Sequence, residues 1–247
     1  MVQEKKKFSP FRFYLVNFIF FLLILVAAFL VFLILACGVQ EVEVKGATFY
    51  TDQQIEHLVL NDRYRTNGAW DVIKNRVHPR KDIPFVSDVK VSLKNFHKLT
   101  ITVTEKEITG YITTPDGKLI YLDREGTVTD ISHKLLSGMI PVDGLLTKKK
   151  IVEGKRYPAA GNRVAALSLI FRSKDNMDLD INSISFGGSG QITLICGKVT
   201  VMLGTADNLK DKLLRLSYIL PKVGKDAGTL HFENYTSDNT DIVFDAE

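Results

Sequence analysis

The 247-residue chain is 45% apolar and 24% charged, a globular composition with room for one large or two small domains and an appendage. Its formal charge of +4 is concentrated at one end: residues 1–39 hold four basic side chains against one acidic, so the other 208 are nearly neutral at +1. A near-neutral body excludes a nucleic-acid phosphate backbone as its ligand. The two cysteines, Cys37 and Cys196, are far apart in segments of different kind, which gives neither a disulfide framework nor a metal site. Cys196 reads as a small buried residue within a strand.

Residues 1–14 form a short basic tail, expected on the cytoplasmic side because Lys5, Lys6, Lys7 and Arg12 precede the first apolar run. Residues 15–37 read as a transmembrane helix. No charged side chain occurs from Phe13 to Val39, and the 22 residues Leu15–Ala36 exceed the ~20 needed to cross a bilayer. Asn17 lies near the basic end, and Phe11, Phe13 and Tyr14 suit the interface there. A cleaved signal peptide has an apolar region of only ~7–15 residues. The run Ile34-Leu35-Ala36-Cys37-Gly38 is similar to a lipoprotein processing site, in which Cys37 becomes the lipidated residue. The length of the apolar run favours a retained anchor with the C-terminal body outside the cell.

Val39, Val42 and Val44 alternate with Glu41 and Glu43 as a short strand ending at Gly46. Thr51-Asp52-Gln53-Gln54 has the capping-box form and opens a helix with Ile55, Leu58 and Val59 at helical spacing. A second helix is expected over Ala69–Val77, with Trp70, Ile73 and Val77 on its inner face and Pro79 ending it. Next come two alternating runs. Val89, Val91 and Leu93, then Leu99, Ile101 and Val103, predict an antiparallel hairpin whose wetter face holds Lys90, Ser92, Thr100, Thr102 and Thr104. Pro84 precedes the first of these strands, where a missing donor does no harm. The order over 39–107 is strand, helix, helix, strand, strand.

From Ile108 the pattern is mostly strands with turn residues between them. Thr114-Pro115-Asp116-Gly117 is a tight turn, and Asp123-Arg124-Glu125-Gly126 makes a second hairpin. Lys148–Lys150 reads as a solvated basic loop. A helix is expected over Pro158–Phe171, with Val164, Leu167 and Phe171 as its stripe and the polar residues Ser173–Asp178 ending it. Three strands follow: Ile181–Phe186, Gln191–Cys196 and Val199–Leu203. The glycines of Gly187–Gly190 lie between two strands, so they form a turn rather than a phosphate cradle. Leu209, Leu213, Leu216 and Leu220 predict a helix stopped by Pro221. Thr229–Phe232 and Ile242–Phe244 are the last two strands.

The chemistry-bearing residues do not converge in sequence. His57, His78, His97, His133 and His231 lack metal-ligand spacing. Asp123 and Glu125 sit in a turn, and no hydrolase or zinc-protease signature occurs. The expectation is no enzyme, no cofactor and no metal.

The strand, capped helix, second helix, Pro84-x-Val86-x-x-Val89-x-Val91 and Leu99-x-Ile101-x-Val103-x-Glu105-Lys106 resemble a POTRA domain. One such copy directly after a single apolar span is similar to the FtsQ/DivIB cell-division family. Three further stretches are also similar to that family: Ile120-Tyr121-Leu122-Asp123-x-x-Gly126-x-Val128, Ile140-Pro141-Val142-Asp143-Gly144, and the stretch from Val201 to Leu220. Near the C-terminus the chain has His231-Phe232-Glu233-Asn234 where many relatives have Asp-Leu-Arg-Tyr. The resemblance implies an α+β fold: a single N-terminal transmembrane helix, a POTRA domain over 39–107, and a mostly antiparallel β domain with two helices over 108–247. It implies a non-enzymatic, single-pass scaffold at the division septum. Its partners would be other bitopic division proteins, FtsB/DivIC-like and FtsL-like, and through them the septal peptidoglycan synthase. The family holds its partner at the last strands of the β domain, and a last strand with a free edge is a template for strand addition. Leu230, Phe232, Tyr235, Ile242 and Phe244 are the candidate partner-binding residues, of which Leu230, Phe232 and Phe244 alternate in the pattern of core residues. The other readings are a cell-envelope lipoprotein adaptor and a cell-wall enzyme.

Overall fold

In the computed structural model a single helix, α1 (Pro10–Ala36), occupies the apolar run. Proline suits its first position, because the N–H that proline lacks has no partner in a first turn. Within α1, Phe13–Phe32 is long and apolar enough to cross a membrane, and none of it is buried in the rest of the chain. The helix starts upstream of the expected Leu15, and Cys37 lies outside the described residues. Those residues are 10–36, 39, 41–60, 68–77, 83–95, 97–223, 226–236 and 238–247. The chain divides into two compact units, Met1–Glu105 and Lys106–Glu247.

After α1, the first unit contains β1 (Glu41–Lys45), α2 (Asp52–Val59), α3 (Gly68–Val77), β2 (Val86–Asn95) and β3 (Lys98–Glu105). Its sheet order is β1-β3-β2, with β1 parallel and β2 antiparallel to the central β3. The expected hairpin is present, with Val89 opposite Val103, Val91 opposite Ile101 and Leu93 opposite Leu99. A register shift between Val86 and Asp88 inserts one residue, so Val86 and Val89, three apart, are both buried. Two members of the hairpin depart from the expected pattern. Leu93, near the turn, is exposed, whereas Thr100 on the wetter face is buried because β3 is flanked on both sides, by Glu43 and Ser92 in register.

The Thr51 capping box forms in full: the Gln54 N–H donates to Thr51 Oγ1 and the Thr51 N–H to Gln54 Oε1. Helix α3 turns a different face inward from the one its apolar spacing suggests. Ile73 and Val77 are exposed, and Asp71 and Val72 face the interior. Asn75 sets this orientation by donating from Nδ2 to the Val89 carbonyl at 3.0 Å. Pro79 and the side chain of Trp70 lie outside what is described. Glu105 closes the unit. Its Oε1 accepts from the N–H groups of Thr48 (2.6 Å) and Phe49 (2.7 Å), and its Oε2 from the Thr48 hydroxyl. The loop after β1 can lie this close because residue 46 is glycine: at φ +79°, a Cβ there would come within 2.3 Å of the Val103 oxygen.

The second unit contains β4 (Gly110–Thr113), β5 (Leu119–Leu122), β6 (Val128–Ser132), β7 (Ile140–Asp143), α4 (Arg163–Met177), β8 (Ser183–Phe186), β9 (Ile192–Cys196), β10 (Val199–Gly204), α5 (Leu209–Val223), β11 (Gly228–His231) and β12 (Val243–Ala246). These strands form one sheet in the order β12-β11-β10-β9-β8-β7-β4-β5-β6. The β4–β7, β7–β8 and β10–β11 pairs are parallel and the other five antiparallel. Parallel neighbours need a crossover. Helix α4 makes it between β7 and β8, and α5 between β10 and β11.

Both expected tight turns are present. The Gly117 N–H reaches Thr114 O at 2.9 Å, and Asp123 Oδ1 accepts from the N–H groups of Glu125 and Thr127, both at 2.8 Å. Helix α4 starts later than expected, at Arg163. Tyr157 and the residues after it are instead held as a loop, Tyr157 Oη donating to Leu145 O at 2.9 Å. Ser173 is buried inside the helix rather than ending it, and the helix stops at Asp178 in the left-handed conformation. Pro221 does not end α5, which runs to Val223. A proline in the last turn forgoes one intrahelical bond without obstructing a long continuation. Leu209, Leu213 and Leu216 pack into the core as their spacing predicts, and Leu220 is half-buried. Cys196 is buried in β9, and burial pushes its thiol up to about 12.

Candidate partner-binding edge

The two ends of the nine-stranded sheet are finished differently. At the β6 end, Val128 donates to Lys155 O at 2.9 Å and accepts from the Gly154 N–H at 2.8 Å, and Thr127 bridges Arg156. The Lys106 ammonium donates to Thr129 O at 3.0 Å and to Asp130 Oδ2 at 2.8 Å. The first half of that edge is therefore occupied, leaving three residues of strand. At the other end, among the described residues, β12 pairs only with β11.

The phase of the hydrogen bonds shows which groups of β12 are left over. The Glu247 N–H donates to Ala227 O at 3.0 Å, one step beyond the Gly228–Ala246 pair. Antiparallel partners alternate between bonded and non-bonded pairs. Asp245 and Val243 therefore turn their backbone groups toward Thr229 and His231. Phe244 and Ala246 turn theirs outward. The parallel neighbour gives the same phase, since the Phe232 N–H goes to Met202 O at 2.9 Å and even-numbered residues of β11 thus face β10.

Packing behind the edge holds β12 in this register. Leu230 and Phe232, 1% and 0% exposed, belong to the core, as does Tyr235. None of the three has surface to offer a partner. Ile242 and Phe244 are half-buried against that core. The Phe244 ring lies over Gly228, where a Cβ would come within 2.7 Å of it. The sequence thus brought together five residues that share one region, but they support the edge and the backbone of Phe244 and Ala246 forms it. No periodicity distinguishes inward from outward backbone groups, because register depends on the partner strand.

The loop between the last strands is fixed by its own polar groups. Thr236 Oγ1 accepts from the N–H groups of Asp238 (3.3 Å) and Asn239 (3.0 Å), and Asn239 Oδ1 accepts from the Asp241 N–H at 3.1 Å. Arg215 stacks over the Tyr235 ring with its guanidinium carbon 6.0 Å from the centroid. Lys212 of α5 is buried and donates to Leu203 O (2.6 Å) and Thr205 O (3.2 Å). Burial pushes its ammonium below the usual lysine range, opposed by the carboxylates of Asp207 and Glu233. On the open side, His231 lies between two carboxylates, with Nδ1 3.2 Å from Glu233 Oε1 and Nε2 3.3 Å from Asp245 Oδ2.

A cleft of about 460 Å³ lies elsewhere in the second unit, beside Asn162, Arg163, Gly188–Gly190 and Asp207. Its cation is spent on structure: Arg163 donates to the carbonyls of Gly144, Gly187 and Gly188 at 3.0–3.1 Å. The glycines there form the β8–β9 turn, Gly190 N–H to Gly187 O at 3.1 Å. Among the described residues, no three His, Cys, Asp or Glu side chains are grouped to hold a metal ion. No family model matches the chain, and no curated protein matches it.

Proposed function

We propose that the chain is a membrane-anchored, non-enzymatic scaffold of the bacterial division machinery, of the FtsQ/DivIB kind, which holds a second bitopic division protein by strand addition to β12. The observation that carries this reading is the open β12 edge of the nine-stranded sheet, uncovered along its length among the described residues, at the strand where that family holds its partner. The element order of the first unit, strand-helix-helix-strand-strand behind one apolar helix, supports reading it as a POTRA domain after an anchor. The FtsB/DivIC-like protein is the direct partner in this scheme, with FtsL-like protein and the septal peptidoglycan synthase beyond it. The test follows a fluorescent fusion of the full chain through division, together with co-purification of the DivIC-like partner. Enrichment at mid-cell and partner recovery are expected. Uniform membrane signal through division would overturn the reading.

A further inference from the structure

The open edge has a marked charge. Between residues 233 and 247 lie Glu233, Asp238, Asp241, Asp245 and Glu247, with no lysine, arginine or histidine, in a chain whose net charge is +4. Asp245 lies on the edge strand itself with its side chain 71% exposed. The imidazole of His231 lies beside it, with Nε2 3.3 Å from Asp245 Oδ2, and is shared with Glu233. A carboxylate accepts only, so both contacts are hydrogen bonds only when both ring nitrogens carry protons. A neutral imidazole has one N–H and leaves one of the two carboxylates without a donor.

We infer that the segment accepted at β12 is a basic strand, with a lysine or arginine on the open face of the sheet beside Asp245. This rests on the scaffold reading and specifies the partner's chemistry. The added strand pairs with the outward N–H and C=O groups of Phe244 and Ala246. Its side chains then alternate between the two faces of the sheet, and those on the face shared by Val243 and Asp245 meet the carboxylates. Opposite charges on adjacent strands stabilise pairing and like charges oppose it. An acidic strand is therefore rejected by the same edge. The titratable and charged groups around Asp245 are His231 and Glu233, with Lys212 of α5 acting on Glu233 from the other side.

The experiment uses the full chain in nanodiscs and two fluorescein-labelled heptapeptides of alternating pattern, Thr-Lys-Val-Lys-Val-Lys-Thr and its Glu-for-Lys counterpart, read by anisotropy. The lysine peptide is expected to bind and the glutamate peptide to bind at least about tenfold more weakly. Asp245→Lys is expected to weaken the lysine peptide at least about fivefold and to improve the glutamate peptide. Ala246→Pro, which removes an outward N–H and no charge, is expected to weaken the lysine peptide as well. Equal binding of the two peptides overturns the inference, as does lysine-peptide binding that Ala246→Pro leaves unchanged, which is surface attraction without strand addition. If Asp245→Lys keeps the division partner while Ala246→Pro loses it, the scaffold stands and the basic strand falls. Loss of mid-cell enrichment by the wild-type chain removes the scaffold itself.

Discussion

Ala246→Pro separates the edge from the fold behind it. Phe244 and Ala246 each present one donor and one acceptor, so a strand added opposite them makes four backbone hydrogen bonds. A hydrogen bond is worth about 0.5–1.5 kcal/mol net, so losing the Ala246 donor alone weakens binding roughly 2- to 13-fold. The proline ring also fills the space of the incoming carbonyl, so the expected loss is about tenfold or more. The fold should be spared, because Ala246 is exposed and its N–H is not bonded to β11. Val243→Pro is the contrasting control. Its N–H faces His231, so proline there peels β12 from β11 and destabilises the domain. The assay is biolayer interferometry of the chain in nanodiscs against the purified extracytoplasmic segment of the proposed DivIC-like partner, with thermal unfolding alongside. An Ala246→Pro chain that binds like wild type and melts like wild type would refute the assignment of outward groups.

Three further outcomes test the structure. Gly144 and Gly117 share φ values of +76° and +77°, but a Cβ would come within 1.8 Å of the Phe186 oxygen at Gly144 and meets nothing within 4 Å at Gly117. Gly117→Ala should therefore cost about 1 kcal/mol and Gly144→Ala about 3 kcal/mol or more in urea unfolding; equal costs would contradict the close approach. Lys212→Ala removes the donors of Leu203 O and Thr205 O and leaves a cavity, for an expected loss of about 3–5 kcal/mol. Lys212→Met fills the space and should lose about half as much, and a methionine variant as unstable as the alanine one would mean that packing is not the difference. For Cys196 the folded state keeps its proton above the usual value near 9, up to about 12. The unfolded state then binds fewer protons in that window, so stability is intact below pH 9 and falls as pH rises, by about 1.4 kcal/mol per unit from this group. Cys196→Ala should flatten the decline by that amount in denaturant titrations at pH 8–11; identical slopes would show that the thiol is not protected.

Much of the fold was legible because it is encoded locally. The Thr51 box, the turns at Gly117 and Gly126, and the alternation from Val89 to Val103 depend on residues within a few positions of one another. What was not legible depends on distant partners. Ile73 and Val77 have helical spacing, yet α3 faces inward with Val72 and Asp71 because Asn75 is anchored to the Val89 carbonyl. The start of α4 was displaced from Pro158 because the Tyr157 hydroxyl reaches Leu145 and holds the preceding segment as a loop. At the edge, the aromatic and aliphatic residues drew attention for their size, which is the property that placed Leu230 and Phe232 in the core. The small and acidic residues that follow them, Asp245 and Ala246, are exposed, as is Val243. The acidic run from Glu233 to Glu247 was present in the sequence and is the signal that points to them.

The finishing of the sheet also governs self-association. Two open ends would let identical molecules join head to tail without limit, each β12 extending the next β6 into a ribbon. Here residues 154–156 and Lys106 occupy the first half of the β6 edge, so that chain growth finds a receiving strand of three residues rather than five. The remaining possibility is β12 against β12, which closes at two copies and sets five carboxylates against five. Crowding of copies therefore favours closed pairs over a sheet that propagates from one copy to the next.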